Sequence, residues 1–272
     1  MRVGSRRCCP PLLVVFLCGL AYFGNRPGPA PSSSDPPASP AAGSALARAA
    51  SGQRATITTK VQKIAHPQYG PGVIRYPVVR VAGEQATRAI NESLAQIRKD
   101  NYDPDADPQP LIGMNFRANH NGDDILSLTV DIQWSGAYPT GWMEHRCYVL
   151  TTGERVAAKM LFDPARTGAL VARLDAELQK EINLARQGKL PKLDSACRDT
   201  PLDGHFKAED LQSFRVGSAG ITFSYPYGLP HASKACEPPG SFLLSYADLT
   251  PFMLPDNPLA ALMRSARSAR GR

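Results

Sequence analysis

The five histidines of this chain are scattered, although histidine is the usual side chain for metal binding and for proton transfer near neutral pH. No histidine has a second one within three to five residues, and the HExxH motif is absent, so local zinc-binding spacings are missing. The acidic run DPDAD (103–107) lacks the Gly and the distal Glu of an EF-hand loop. We therefore expect no metal site and no cofactor. The histidines are His66, His120, His145, His205 and His231.

Known catalytic motifs are also absent from the sequence. The run GSAG (217–220) lacks the spacing of a GxSxG nucleophile elbow, and the chain has neither a Walker loop nor a dinucleotide-binding glycine motif. We expect no catalytic residues. The alternative is an active site assembled from residues that are distant in the sequence.

Three of the six cysteines lie outside the apolar N-terminal segment and could form a disulfide bond. Cys197 and Cys236 lie in loops flanked by Pro and Gly, whereas Cys147 lies in a predicted strand beside Tyr148. Cysteines of exported proteins commonly pair. We predict a Cys197–Cys236 bridge and a buried, free Cys147, with three reduced thiols as the alternative.

Two loops combine aromatic residues with Gly and Pro: SGAYPTGW (135–142) and YPYGLPHA (225–232). Aromatic side chains on loops beside a sheet can form a binding surface. If the strands before these loops run the same way in one sheet, both loops emerge at the same end. The predicted binding residues are Tyr138, Trp142, Tyr227 and His231. The alternative is that Trp142 and Tyr227 are buried beneath a long helix.

The elements that position these residues follow from hydrophobic periodicity. Apolar stripes predict two main helices, one at 83–100 and one that begins at Asp163-Pro164 and ends at Gly188. Their order among the strands predicts an α+β fold with a largely antiparallel sheet. The main strands are predicted at 55–64, 73–81, 111–119, 125–134, 146–150, 214–216, 221–225 and 241–246.

Three details of the predicted sheet depend on single residues. Pro77 indicates an edge strand, because proline has no N–H to donate. Asn121-Gly122 indicates a type I′ hairpin turn, in which both central residues need positive φ. Strand 125–134 alternates apolar and polar residues, so one sheet face should be buried and the other should be solvated. The polar face carries Ser127, Thr129, Asp131 and Gln133.

The N-terminal segment predicts export. Arg2, Arg6 and Arg7 precede a short apolar run, as in a signal peptide or a retained signal anchor at 1–24. A Pro/Ala/Ser-rich linker at 25–53 follows, too poor in large apolar residues to fold. The envelope domain is predicted at 54–254, in sub-regions of about 54–110 and 111–254, and a basic tail at 255–272.

The composition and charge of the chain exclude several classes of protein. A chain of 272 residues that is 43% hydrophobic can form a core, so it is neither disordered throughout nor collagen-like. The net charge of +7 comes from the two ends, since residues 54–258 hold 22 Lys/Arg and 23 Asp/Glu. We expect no nucleic-acid partner, because no basic face is indicated.

Several segments, taken together and in order, resemble a bacterial envelope module. They are YPVV (76–79), AINESL (89–94), LSLTVDIQWSGAYPTGW (126–142), YVLTTGERVAAKMLF (148–162), ITFSYPYGLPHA (221–232) and SFLLSYADLTPFM (241–253). The module occurs outside the membrane in the lysozyme-sensing anti-sigma factor of Gram-positive bacteria and beside a peptidoglycan deacetylase. The resemblance implies an α+β domain able to bind a protein such as lysozyme. Tyr138 stands where the module usually has His, and 229–240 departs from its closing loop.

The sequence therefore predicts an exported, non-enzymatic domain that binds or senses a protein such as lysozyme or a cell-wall component. Its location would be the periplasm, or the periplasmic side of the inner membrane with contact only through the N-terminal segment. One alternative is a hydrolase of peptidoglycan or another envelope polysaccharide. The other is a purely structural envelope protein.

Overall fold

Five strands form the larger of two β-sheets, in the order β1-β2-β3-β4-β5. The computed structural model describes residues 52–66, 70–105, 110–135, 140–191 and 193–270. The predicted segment 1–24 and nearly all of the linker 25–53 lie outside these residues. The strands are β1 (Thr56–Ile64), β2 (Gly72–Arg80), β3 (Leu111–Gly122), β4 (Ile125–Trp134) and β5 (Thr140–Val149).

The first main helix, α1 (Glu84–Asn101), connects β2 to β3, the one parallel pair of this sheet. Its apolar stripe packs on the face of the sheet that carries Leu126, Leu128, Val130 and Ile132. The helical residues buried there are Ala86, Ile90, Leu94 and Ile97. The 3.6-residue spacing that predicted this helix thus matches its contact with the sheet.

A second core lies between the long helix α3 (Thr167–Arg186) and a three-stranded antiparallel sheet. The strands are β6 (Phe214–Val216), β7 (Gly220–Ser224) and β8 (Ser241–Ser245). The short helices α2 (Ala158–Leu161) and α4 (Tyr246–Leu249) and the terminal α5 (Ala260–Arg270) complete the elements. Leu259, Leu262 and Met263 are buried in this second core. The α+β class, the largely antiparallel pairing and the two main helices are confirmed.

The first half of the polar face of β4 is buried, so the prediction of a solvated face was wrong there, whereas Asp131 is half-buried and Gln133 is exposed. Ser127 and Thr129 are both fully buried, because β6 packs against this face. The backbone N–H of Val216 donates a hydrogen bond of 3.0 Å to Ser127 Oγ. Alternation identifies two different faces, but a polar face can be buried when its hydroxyls have partners.

The hairpin turn between β3 and β4 lies two residues later than predicted. Asp123 and Asp124 have φ of 49° and 65°, and the flanking pair is Gly122 with Ile125. The Asn121 side chain instead binds the backbone of Ala55. Its amide oxygen accepts a hydrogen bond from the Ala55 N–H, and its amide nitrogen donates one to the Ala55 carbonyl. Aspartate tolerates the left-handed region, so Asn-Gly did not decide the register.

Pro77 lies in an interior strand of the larger sheet, but beyond the part of that strand that pairs with β3, so one side of the strand is unpaired there as predicted for an edge position. The parallel pairing of β2 with β3 covers only Val73 and Ile74. Farther along β2, Asn91 of α1 accepts a bond from the N–H of Val79 and donates one to its carbonyl. A helix side chain therefore supplies hydrogen bonds that a neighbouring strand would otherwise provide.

The long helix α3 begins at Thr167, four residues after the predicted cap Asp163. Asp163 accepts instead from the N–H of Ala165, within the turn before the helix. The predicted stripe of Leu170, Leu174, Leu178 and Ile182 is fully buried.

Within the described residues, no helix has both the length and the apolar character needed to cross a bilayer.

The predicted disulfide bond is confirmed. Cys197 and Cys236 are bridged, with their Cα atoms 5.2 Å apart. Cys147 is free and buried, as predicted. Burial raises the pKa of its thiol to about 12, so the thiolate is disfavoured at neutral pH.

Candidate ligand-binding cleft

A cleft of about 550 Å³ lies where the start of β5 meets the segment that follows β7. One wall carries Trp142, Met143 and His145, from β5. The opposite wall comes from Ser224 and from the segment 225–241 that leads to β8. That segment contributes Tyr225, Pro226, Lys234, Pro238, Pro239 and Ser241.

Two exposed apolar residues of β5, Trp142 and Met143, border the cleft and are called its rim. Their side chains leave the strand on opposite faces, since Trp142 pairs with Ile132 on the α1 face and Met143 pairs with Asp131 on the His145 face. Trp142 is 41% exposed and Met143 is 49% exposed, although most large apolar side chains of the domain are buried. The Trp142 ring lies 5.3 Å from the ring of Trp134, measured between centroids. Trp142 belongs to β5, where it pairs with Ile132, rather than to the preceding loop. A strand therefore holds this aromatic side chain in place.

The structure brings only part of the predicted binding surface together. Trp142 lines the cleft, but the Tyr227 hydroxyl donates a 3.0 Å hydrogen bond to Glu181 of α3, and its ring is half-buried against the second core. Tyr138 lies outside the described residues. His231 begins the 3₁₀ turn His231–Cys236, and its side chain lies outside the described part of the chain. For Tyr227, the structure matches the alternative of packing under the long helix.

The geometric reason given for that surface was wrong, since β4 and β7 belong to different sheets. The next strand after β4, which is β5, and the segment that follows β7 nevertheless line the same cleft, because the smaller sheet packs against the larger one through β6. Tyr225 occupies the position at which Tyr227 was expected. Its ring packs at 5.2 Å from that of Tyr227 and 6.2 Å from that of Phe206.

The segment 225–241 is held to the core at several points. Glu181 accepts bonds from the Tyr227 hydroxyl and from the N–H of Gly240, at 3.0 and 3.3 Å. Burial raises the pKa of Glu181, although these two bonds favour its ionised form. Gly240 has a φ of 53°, and a Cβ there would collide with the carbonyl of Tyr225. The disulfide at Cys236 and the ion pair between Lys234 and Glu237 add further constraints.

A chain of four polar side chains crosses from the larger sheet to the wall of the cleft. Asn119 Nδ2 donates to Thr129 Oγ1 at 2.9 Å, and Thr129 Oγ1 lies 3.0 Å from His145 Nδ1. On the other side of the ring, His145 Nε2 lies 3.0 Å from Ser224 Oγ. His145 thus joins the two sheets through hydrogen bonds on both ring nitrogens.

His145 is neutral at physiological pH. Burial, together with the positive charges of Arg215, Arg117 and Arg146, lowers its pKa to about 4. A neutral imidazole can accept a proton from a neighbouring hydroxyl, so His145 and Ser224 form a histidine–serine pair at the cleft wall. No local pattern in the sequence indicates this pair, because the two residues are 79 positions apart. The pair could have been predicted only by recognising that polar residues of β4 and β5 are buried and must find hydrogen-bond partners in the second sheet.

No three or more His, Cys, Asp or Glu side chains are grouped to hold a metal ion in the described parts of the chain. The ionic groups around the cleft are mostly paired with one another. Arg117 binds Asp131 at 2.9 Å and Arg146 binds Glu144 at 2.5 Å. The chemistry that the described residues offer is therefore aromatic contact, hydrogen bonding and a neutral histidine.

Comparisons with known proteins relate this fold to domains of unknown function. No family model and no curated protein matches the sequence. A member of the DUF3298 family from Bacteroides fragilis is similar in structure, with 13% identity, a TM-score of 0.51, and coverage of 79% of this chain and 99% of that one. A DUF3298 family protein from Pseudomonas aeruginosa has 10% identity and a TM-score of 0.45, over 74% of this chain and 94% of that one. The similarity to the first of these proteins shows a shared fold.

Proposed function

We propose that this protein is an exported domain that binds a protein or cell-wall ligand in the cleft beside Trp142. The observation that carries the proposal is the exposure of Met143, on the cleft face of β5, and of Trp142, on its other face, at the edge of a well-anchored cleft. Tryptophan is a frequent anchor of interfaces because it buries a large area at little loss of side-chain freedom. The basic, apolar and Pro-rich N-terminal sequence supports export.

Two further features suit the cleft for a chain-like ligand. β5 is an edge strand of the larger sheet, and edge strands offer backbone groups to an added extended segment. The opposite wall carries Pro226, Pro238 and Pro239, which are rigid and lose little entropy on binding. The resemblance to the lysozyme-sensing module makes lysozyme the first protein to test, with intact peptidoglycan as the cell-wall ligand.

The change Trp142→Ala is expected to weaken binding of the partner by about 1–3 kcal/mol, because the anchor of the rim is lost. Thermal stability should stay unchanged, since the side chain is 41% exposed. Titration calorimetry with lysozyme and sedimentation with peptidoglycan measure the effect. The matched control is Val61→Ala, which removes an exposed side chain from the opposite edge strand, β1, and should leave binding intact. Equal affinity of Trp142→Ala and the wild type would exclude the rim as the contact surface.

A second candidate function is hydrolysis, which the His145–Ser224 pair favours. If His145 Nδ1–H donates to Thr129, the Thr129 hydroxyl accepts two bonds, from His145 and Asn119, within the capacity of its two lone pairs. His145 Nε2 is then free to accept the Ser224 proton. On attack at an ester, Ser224 Oγ bonds the acyl carbon, the proton moves to Nε2, and the leaving alkoxide takes that proton before water releases the acyl group.

Labelling with a fluorophosphonate is expected to modify Ser224 if the pair is reactive. Ser224 Oγ bonds phosphorus, fluoride leaves, and His145 takes the proton. Mass mapping should find the label on Ser224 in the wild type and no label in Ser224→Ala. Ser241→Ala is the control, because Ser241 pairs with Ser224 across the sheet and lines the same cleft. This variant should keep the label on Ser224, since His145 is hydrogen-bonded to Ser224. An unlabelled wild-type protein would rule out this second function.

A further inference from the structure

Arg215 lies in the middle of β6, the strand that packs against the polar face of the larger sheet. Phe214 and Val216 point into the second core and are buried. Side chains alternate along a strand, so Arg215 points away from that core, where it is half-buried. Its charge is therefore partly removed from water.

No residue in the described parts of the chain forms a hydrogen bond or an ion pair with the Arg215 guanidinium. Burial lowers the pKa of Arg215, and the positive charge of Arg117 lowers it as well. The other cations around the cleft differ, since Arg117, Arg146 and Lys234 each have a carboxylate partner. Arg215 is thus a partly desolvated cation beside a like charge.

Such an arrangement is unfavourable in the free protein. Removing a charge from water without a partner raises the free energy of the folded state, and a like charge adds to that penalty. An anion at this position would relieve both effects at once. Sites of this kind are often tied to function, because evolution keeps unfavourable groups where they bind something.

The position of Arg215 places that anion beside the cleft. Arg215 pairs with Thr222 of β7, which shares a face with Ser224, and Ser224 Oγ lies 3.0 Å from His145 Nε2 at the cleft wall. Arg117 Nη2 lies 3.4 Å from the sulfur of Met143, which forms the rim. An extended ligand bound along the rim would therefore pass the arginines.

We propose that Arg215, supported by Arg117, forms an anion subsite next to the cleft and binds a carboxylate of an acidic peptide. The inference rests on the proposed binding function and adds the chemistry of the ligand. The planar guanidinium favours a carboxylate, because its parallel N–H groups match the two carboxylate oxygens. Arg117 already binds Asp131, so Arg215 is the group with free donors.

The test compares Arg215→Met with the wild type, using tetraglutamate as the probe and tetraglutamine as the neutral control peptide. We expect Arg215→Met to raise the melting temperature of the free protein by about 2–4 °C, because the unpaired charge is removed. At constant ionic strength, tetraglutamate should raise the melting temperature of the wild type only, and calorimetry should show at least tenfold weaker binding to the variant. Tetraglutamine should bind neither.

Arg75→Met is the charge-matched control. Arg75 is exposed on β2, so its loss should change neither the melting temperature nor the response to tetraglutamate. Arg215→Lys keeps the positive charge but lacks the parallel N–H groups of the guanidinium, so it should bind tetraglutamate more weakly than the wild type. Equal binding of tetraglutamate by Arg215→Met and the wild type, or no binding by the wild type, would overturn the subsite. If binding of lysozyme or peptidoglycan were still weakened by Trp142→Ala in that case, the proposed function would stand without the subsite.

Discussion

Removal of the Cys197–Cys236 bridge, by the double change to Ala, is expected to lower the free energy of unfolding by about 3–4 kcal/mol. The bridge joins residues 39 positions apart and so restricts a long loop of the unfolded chain. It also fixes the 3₁₀ turn His231–Cys236 next to the cleft. Urea unfolding of both proteins, followed by tryptophan fluorescence, measures the difference.

The matched control for this experiment is Cys147→Ala, which leaves the bridge intact. Cys147 is a small buried side chain, so its loss should have the smaller effect. Ligand binding in the cleft should also weaken in the double variant, because Lys234 and Pro238 lie on the bridged segment. An unchanged urea midpoint in the double variant would contradict the expected role of the bridge.

The second large effect is acid destabilisation through His145. Its pKa is about 4 in the folded protein, against about 6.5 in the unfolded chain. Below pH 6.5 the unfolded chain binds a proton that the folded protein does not, so stability falls as pH decreases. The loss should be complete near pH 4, below which both states are protonated, and it amounts to on the order of 3 kcal/mol.

The contribution of His145 is isolated by comparing the wild type with His145→Gln between pH 4 and pH 7. The variant should lose less stability over this range, because glutamine has no proton to gain. His205→Gln is the comparison at an exposed histidine, whose Nδ1 lies 3.2 Å from Asp175, and it should not remove the loss of stability that His145 causes. Parallel pH profiles for the wild type and His145→Gln would contradict a buried, neutral His145.

Local patterns in the sequence were sufficient for the elements and for the covalent link. The stripe from Leu170 to Ile182 and the stripe of α1 follow from a helical period that only burial explains. The disulfide could be predicted because Cys147 lay in a strand pattern and the other two cysteines lay in loops. These features depend on residues that are near one another or on simple elimination.

The cleft could not be derived in the same way, because it depends on how two sheets pack. His145 and Ser224 come from different sheets, and nothing near either residue marks it. Tyr227 was expected at the surface, but its hydroxyl donates a hydrogen bond to Glu181 on α3. Likewise, Asp123 and Asp124 took the turn expected at Asn121-Gly122, since strand register is set by the whole pair of strands.

The burial of Cys147 also helps the folded domain to keep the Cys197–Cys236 disulfide rather than exchange it for another pairing. Cys147, Cys197 and Cys236 allow three different single bridges, of which one is native. Thiol–disulfide exchange requires a thiolate, and the high pKa of the buried Cys147 suppresses it in the folded domain. Scrambling is therefore confined to chains in which β5 has not yet paired with β4. An oxidoreductase that shuffles disulfides would act on such immature chains and leave the finished domain untouched.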